Sequence, residues 1–247
     1  MDTRKRSGRH KRLETIRGER RKQKQKQRMA TLLIVGGSVL LVVAVIVILA
    51  LGSTKTPSKN TTPIAITPVS RPLASGNSMG DPDAPIKLVE YSDFQCPGCL
   101  YFYQQIEPSL ISEYISTGKA HFTYRSMGDW IGPESVASAE AAYCASDQEK
   151  FWEYHDILFA NWTGENVGDF SKKRLIAYAE SLGLDMDAFS TCLDNHKYSQ
   201  KVSQDHTDGL QEGVSYTPTL FINGKMYTGI NSYAGIKEAI DAALAGK

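Results

Sequence analysis

Between Ala30 and Leu51 the chain carries no charged side chain, and "LLIVGGSVLLVVAVIVILAL" is almost wholly apolar. Those twenty-two residues, at about 1.5 Å rise each, cover roughly 33 Å, the thickness of a hydrocarbon core. A core helix of that length would keep a polar stripe, so the pattern predicts a transmembrane helix over 29–51. The next stretch, "GSTKTPSKNTTPIAITPVSRPLAS", is rich in Thr, Pro and Ser and has neither helical nor strand periodicity. It reads as a solvated linker over 52–75. Residues 76–247 remain as one domain, large enough to bury its own core.

Inside that domain the period changes several times. "IKLVEY" (86–91) is short, apolar and β-rich, and predicts a strand that feeds into "SDFQCPGC". Leu100, Tyr103, Ile106, Leu110 and Tyr114 then recur at three- and four-residue steps, the period of a helix. Pro97 suits the first turn of that helix, and Pro108 should kink or break it. "KAHFTYRSM" (119–127) reads as a second strand. From about 133 to 213 the pattern is helical, with "ESVASAEAAYCA", "KFWEYHDILFA", "SKKRLIAYAESLG" and "DMDAFSTCLDN" set apart by Gly, Asp and Asn stops. Phe151, Trp152, Tyr154 and Phe159 are expected in the core of this block, and His155 is expected to be a packing or surface residue. "TPTLFING" and "KMYTG" follow as two strands joined by Asn223-Gly224, a strong hairpin signal. "NSYAGIKEAIDAALAG" closes the domain as a helix, with Ser232 a candidate N-cap.

Charge orients the apolar span. The net charge of +1 hides two opposed parts: residues 1–28 hold thirteen Lys or Arg against Asp2, Glu14 and Glu19, and the rest of the chain carries a net −9. Basic residues on the N-terminal side keep residues 1–28 in the cytoplasm and send the domain outside. The small residues of "ALG" (50–52) also fit a signal-peptidase site, but signal h-regions are about 7–15 residues long, so an uncleaved anchor is expected. No nucleic-acid role is expected for the basic tail, which sits where it would meet anionic headgroups. Asn60 and Asn161 each head an N-x-Thr triplet.

All four cysteines lie in the outer part, where disulfides persist. A zinc site would need a second C-x-x-C or nearby histidines, which neither Cys144 nor Cys192 supplies, so no metal is expected. A disulfide across two residues constrains the unfolded chain very little, which argues against a purely structural Cys96–Cys99 bond. A C-x-x-C that follows a strand and opens a helix instead lowers a thiol's pKa. Cys96 should sit at the helix N-terminus, where unpaired backbone N–H groups and the macrodipole favour a thiolate.

The element order is βαβ, a helical block, then ββα. With "GDPDAPIKLVEYSDFQCPGC", "KFWEYHDILF" and "GVSYTPTLFINGK" in that order, residues 79–247 resemble the DsbA-like branch of the thioredoxin-fold oxidoreductases. The resemblance implies an α/β thioredoxin fold with an inserted helical block, here preceded by one transmembrane helix. It makes Cys96 the attacking thiol and Cys99 the resolving one, with Pro97 and Gly98 between them. It also makes Pro218 a cis-proline facing the pair and puts the Thr217 backbone against an extended substrate. Glu90, six residues before Cys96, falls where relatives place a buried acid that accepts the proton of Cys99; Asp93 competes for that role. Cys144 and Cys192 match positions where relatives carry a second, structural disulfide.

The implied function is a membrane-anchored dithiol oxidase that needs no cofactor and passes its disulfide to exported proteins with free thiols. A quinone-linked membrane protein would recycle it. The alternatives are the reverse chemistry, as an extracytoplasmic reductase or isomerase, and a non-catalytic peptide-binding module. Related isomerases carry an N-terminal dimerisation domain where this chain has a linker. A binding module would not need both cysteines and the Thr-Pro pair.

Overall fold

The computed structural model describes residues 62–67, 69–228, 230 and 232–246. The basic tail, the apolar span at 29–51 and Asn60 lie outside these residues. Among the described residues, no helix is long and apolar enough to cross a membrane.

A five-stranded sheet carries the fold: β1 (Ser78–Met79), β2 (Ile86–Ser92), β3 (Ala120–Ser126), β4 (Thr219–Ile222) and β5 (Lys225–Tyr227), ordered β1-β3-β2-β4-β5. β2 runs parallel to β3 and antiparallel to β4, so it is central. Its alternation is nearly lost, with Glu90, Tyr91 and Ser92 all buried, as a strand covered on both faces requires. β3 alternates cleanly between buried and half-buried residues. β1 pairs antiparallel with β3 through only two residues, too short to leave a period in the sequence.

The crossover from β2 to β3 begins with α1 (Pro97–Gln105), which has Pro97 at its start. The helix then breaks at Ile106 and restarts as α2 (Glu107–Leu110), with Pro108 in its first turn. A π-helical turn over Ile111–Ile115 completes the crossover. Five helices form the insertion: α3 (Pro133–Ser146), α4 (Phe151–Ala160), α5 (Lys172–Ser181), α6 (Met186–Asp194) and α7 (Ser199–Gln211). The hairpin turn between β4 and β5 has Asn223 at φ 49° and Gly224 at φ 76°, the left-handed pair that the Asn-Gly dipeptide supplies without strain. The C-terminal helix α8 (Tyr233–Leu244) buries Ile236 and Ile240. Its Asp241 accepts a hydrogen bond from the Tyr114 hydroxyl at 2.7 Å.

The insertion packs through aromatic residues. Phe151, Trp152, Tyr154 and Phe159 are buried as expected, and His155 is buried among them, 4.9 Å from the Phe159 ring centre. Cys144 on α3 and Cys192 on α6 are bonded to each other, with Cα atoms 5.8 Å apart.

The segment read as linker up to residue 75 is mostly exposed among its described residues but is tied to the domain at Ile64 and Arg71. The Ile64 N–H donates to Asn161 Oδ1 at 2.8 Å, and Asn161 Nδ2 returns a bond to the Ile64 carbonyl at 3.2 Å. That use of its carboxamide, and its burial, remove Asn161 as a glycan acceptor. The Arg71 side chain is 3% exposed and ion-paired with Glu107 and Asp156. A polar composition hides such docking, because the partners lie far along the chain.

Candidate active site

β2 ends at Ser92, and four residues turn the chain from sheet into helix. Asp93 shapes that turn: its Oδ1 accepts the Gln95 N–H at 2.8 Å and its carbonyl accepts the Cys96 N–H at 3.0 Å. Gln95 is wholly buried and braces the turn against the insertion. Its Nε2 donates to Ser135 Oγ at 2.9 Å, and its Oε1 accepts the Asn166 N–H at 2.6 Å. Cys96 is thereby left as the N-cap residue of α1, in extended backbone, with no side-chain cap competing for the free N–H groups.

The two thiols differ in access. Cys96 is 8% exposed and Cys99 1%, so a thiol arriving from solvent meets Cys96. The Cys96 thiol donates to the Thr217 carbonyl at 3.3 Å, and the Thr217-Pro218 peptide is cis. Gly98 lets the two loops meet. A Cβ at that position would stand 3.1 Å from Pro218 Cδ and 3.4 Å from the Thr217 carbonyl oxygen, too close for comfort. A cavity of about 480 Å³ opens there, lined by Gly98, Tyr101, Tyr216, Thr217, Pro218, Thr228 and Ile230. Tyr101 and Tyr216 are among the exposed large apolar side chains.

Electrostatics separates the thiols further. A hydrogen bond from the Cys99 thiol is the chief cause that brings the Cys96 pKa down to about 6. Burial opposes it; the Thr217 side chain and the backbone N–H groups of Cys99 and Gly98 add to it. Burial pushes Cys99 the other way, well above an ordinary thiol, and the neighbouring Cys96 and Glu90 reinforce the shift. The Asp93 N–H is the backbone donor to Cys99 Sγ, at 3.4 Å.

Glu90 is buried on β2, beside Tyr124 of β3 and Leu220 of β4. Burial, then the charge of Glu107, raise it well above the usual carboxylate range. Burial thus favours the protonated form of the acid beside Cys99, the thiol whose proton the resemblance has it handle. Asp93, also buried, is raised only to about 6, mainly by burial, and its hydrogen bonds from Gln95 and Ser135 hold the shift down.

Sequence reasoning missed the polar group behind this acid. Arg71 donates twice to Asp156, at 2.8 and 3.1 Å, and once to Glu107, and its guanidinium lies 4.9 Å from the Trp152 ring centre. His155 Nδ1 is 3.0 Å from Asp156 Oδ1. Glu107 did carry a signal: it falls four residues after Tyr103 and three before Leu110, on the apolar face of the crossover helix, where a charge needs a partner. Arg71, in a Pro- and Ser-rich stretch, carried none.

Cys144 and Cys192 are not part of this constellation; they are engaged with each other in the insertion. Chemically, the site offers one accessible, acidified thiol, one buried thiol a helical turn on, and buried acids behind it. The Thr217 carbonyl, which accepts from the Cys96 thiol, and the cis Pro218 flank the pair. This arrangement suits thiol–disulfide exchange.

The chain is similar to several known proteins over this domain. A Na(+)/H(+) antiporter, NhaA 1, from Salinispora arenicola is 33% identical over 168 residues, covering 68% of this chain and 24% of its own length. The chain thus spans about a quarter of that relative. Disulfide bond formation protein D from Bacillus subtilis is 28% identical over 178 residues, covering 68% of this chain and 77% of its own. The crystal structure of oxidised BdbD from Bacillus subtilis superposes with a TM-score of 0.61 at 24% identity, over 71% of this chain and 96% of that one, which speaks for the fold. The family model described as thioredoxin matches residues 74–242. With that match covering most of its length, and with helices inserted before the last two strands, this chain belongs to the thioredoxin family in its DsbA-like form.

Proposed function

We propose that this chain is a thiol–disulfide oxidoreductase acting as a dithiol oxidase outside the cytoplasm. Residues 29–51 hold it to the membrane, with residues 1–28 inside. The observation that carries the reading is the asymmetry of the pair: Cys96 accessible and acidified to about 6, Cys99 buried and raised. The Bacillus subtilis relative is named a disulfide bond formation protein, which points the same way.

Two displacements complete the reaction. A substrate thiolate aligned along Thr217 attacks Cys96 Sγ of the oxidised pair; the substrate–Cys96 bond forms and the Cys96–Cys99 bond breaks. Cys99 leaves with the electron pair and, because burial disfavours its thiolate, takes a proton, which the buried acid Glu90 supplies. A second substrate thiolate then attacks the substrate sulfur and expels Cys96 as a thiolate. The substrate leaves oxidised and the enzyme reduced. Holding Cys96 at about 6 rather than 9.0 stabilises the thiolate, and so the reduced enzyme, at pH 7, which makes the disulfide more oxidising. The substrates are exported proteins with free thiols, and a quinone-linked membrane protein returns the pair to its disulfide. The cavity with Tyr101 and Tyr216 receives apolar residues flanking the substrate cysteine.

Mixing the oxidised protein with a reduced, unfolded test protein checks this reading. Cys96→Ala should abolish oxidation, and Cys99→Ala should accumulate mixed disulfides through Cys96. Oxidation undiminished in Cys96→Ala would refute it, and a pair held mainly reduced in living cells would favour the reductase direction.

A further inference from the structure

We propose that Gln95 is a positioning residue of the redox centre: its buried carboxamide ties the turn before Cys96 to the helical insertion and so holds the Cys96 sulfur at the start of α1 when no disulfide is there to hold it. This rests on the dithiol exchange proposed above and gives the insertion a part in it.

The geometry is an unbroken line of contacts from the insertion to both sulfurs. On the insertion side, Gln95 Nε2 donates to Ser135 Oγ at 2.9 Å and to Asn166 Oδ1 at 3.3 Å, and Oε1 accepts the Asn166 N–H at 2.6 Å. Those partners are themselves held. Ser135 lies in the first turn of α3, and Asn166 lies in the loop between α4 and α5. The Asn166 side chain fills the space that a Cβ on Gly132 would need, with Oδ1 only 2.6 Å from that position. Glu134, beside Ser135, accepts the N–H groups of Gly168 and Phe170 at 2.7 and 2.9 Å and closes the loop onto the helix. On the other side, the Gln95 N–H donates to Asp93 Oδ1 at 2.8 Å, and the Asp93 carbonyl accepts the Cys96 N–H at 3.0 Å. The Asp93 N–H reaches Cys99 Sγ at 3.4 Å, and Cys96 Sγ meets the Thr217 carbonyl at 3.3 Å. Phe94 also packs onto the insertion, its ring 5.2 Å from that of Phe159, but apolar contact has no direction. The carboxamide supplies the directional bonds, and because Gln95 is 0% exposed, solvent does not replace them.

The sign of the effect follows from the two redox states. In the oxidised protein a covalent bond closes the turn across two residues whatever Gln95 does. In the reduced protein, the state of this structure, Cys96 and Cys99 are free and the turn depends on its hydrogen bonds. Gln95→Met keeps the length of the side chain and removes its bonds, so it should disturb the reduced form more than the oxidised one. A loosened turn gives up part of the contact between the Cys96 sulfur and its donors at the start of α1. The thiolate is then less stable and, by linkage, the disulfide a weaker oxidant. Besides Cys99, the titratable groups near that sulfur are Glu90 and Asp93, and the variant changes neither.

The test equilibrates the full-length protein with glutathione at pH 7, where two glutathione thiols join as their disulfide while the Cys96–Cys99 bond is reduced to two thiols. The alkylation midpoint of Cys96 is measured alongside. Gln95→Met should raise that midpoint by about one unit and lower the equilibrium constant for reduction about fivefold. Its reduced form should also lose more stability to denaturant than its oxidised form. Ser135→Ala should move the midpoint the same way by about half a unit, since Gln95 keeps its bond from the Asn166 N–H. Tyr154→Phe is the control: it removes a bond of 2.7 Å to the Leu175 carbonyl inside the insertion, away from the turn, and should leave midpoint and equilibrium constant unmoved. A Gln95→Met protein that loses stability equally in both redox forms, with midpoint and equilibrium constant in place, overturns the proposal. If Gln95→Met does not fold, Ser135→Ala decides: unmoved values there overturn it too. A wild-type pair that glutathione does not reduce at all would overturn the exchange reading itself, a different failure from variants that match the wild type.

Discussion

Asp93 and Glu90 are two buried acids beside one thiol, and their surroundings treat them unequally. Asp93 accepts a backbone N–H from Gln95 and stops at about 6, whereas Glu90 also feels Glu107 and rises further. The position of each was legible in the sequence, but the shift of each was not, because burial sets both and Glu107 adds to it only at Glu90. For Asp93 the consequence is a pH dependence of stability. The unfolded carboxyl ionises near 3.8 and the folded one near 6, so its contribution is full below about 3.8 and is lost as pH rises through about 6. Between these values the oxidised wild type should lose about 2–3 kcal/mol relative to Asp93→Asn. Denaturant titrations of the oxidised forms, in which neither redox cysteine titrates, would measure the difference. A constant gap between the two proteins from pH 4 to 6.5 would contradict it.

At the scale of elements, the strongly periodic pieces were the readable ones. β2, β3, the helix interrupted near Pro108, the hairpin at Asn223-Gly224 and the helical insertion all announced themselves through spacing, turn residues or proline chemistry. β1 did not, since two residues form no pattern, and neither did the docking of Arg71, whose partners lie 36 and 85 positions away. The disulfide between α3 and α6 belongs to the insertion rather than to the exchange site. It closes a loop with a separation of 48 residues, for which the entropy model suggests about 4 kcal/mol. Replacing Cys144 and Cys192 together by Ala should lower the melting temperature and leave most of the dithiol activity. Loss of activity at a temperature where the double variant is still folded would show that the bond serves the chemistry.

For the whole molecule, the proposal joins a domain of net negative charge to a basic tail through one apolar span. Protease added to intact spheroplasts should release a fragment of domain size; protection until the membrane is lysed would reverse the orientation. The central claim, however, is the difference between two thiols one helical turn apart. It is tested most directly by the pH dependence of Cys96 alkylation in the reduced protein. The account predicts a midpoint at about 6, so that Cys96 is mostly thiolate at neutrality. A midpoint near about 8.5, that of an unperturbed cysteine, would contradict it.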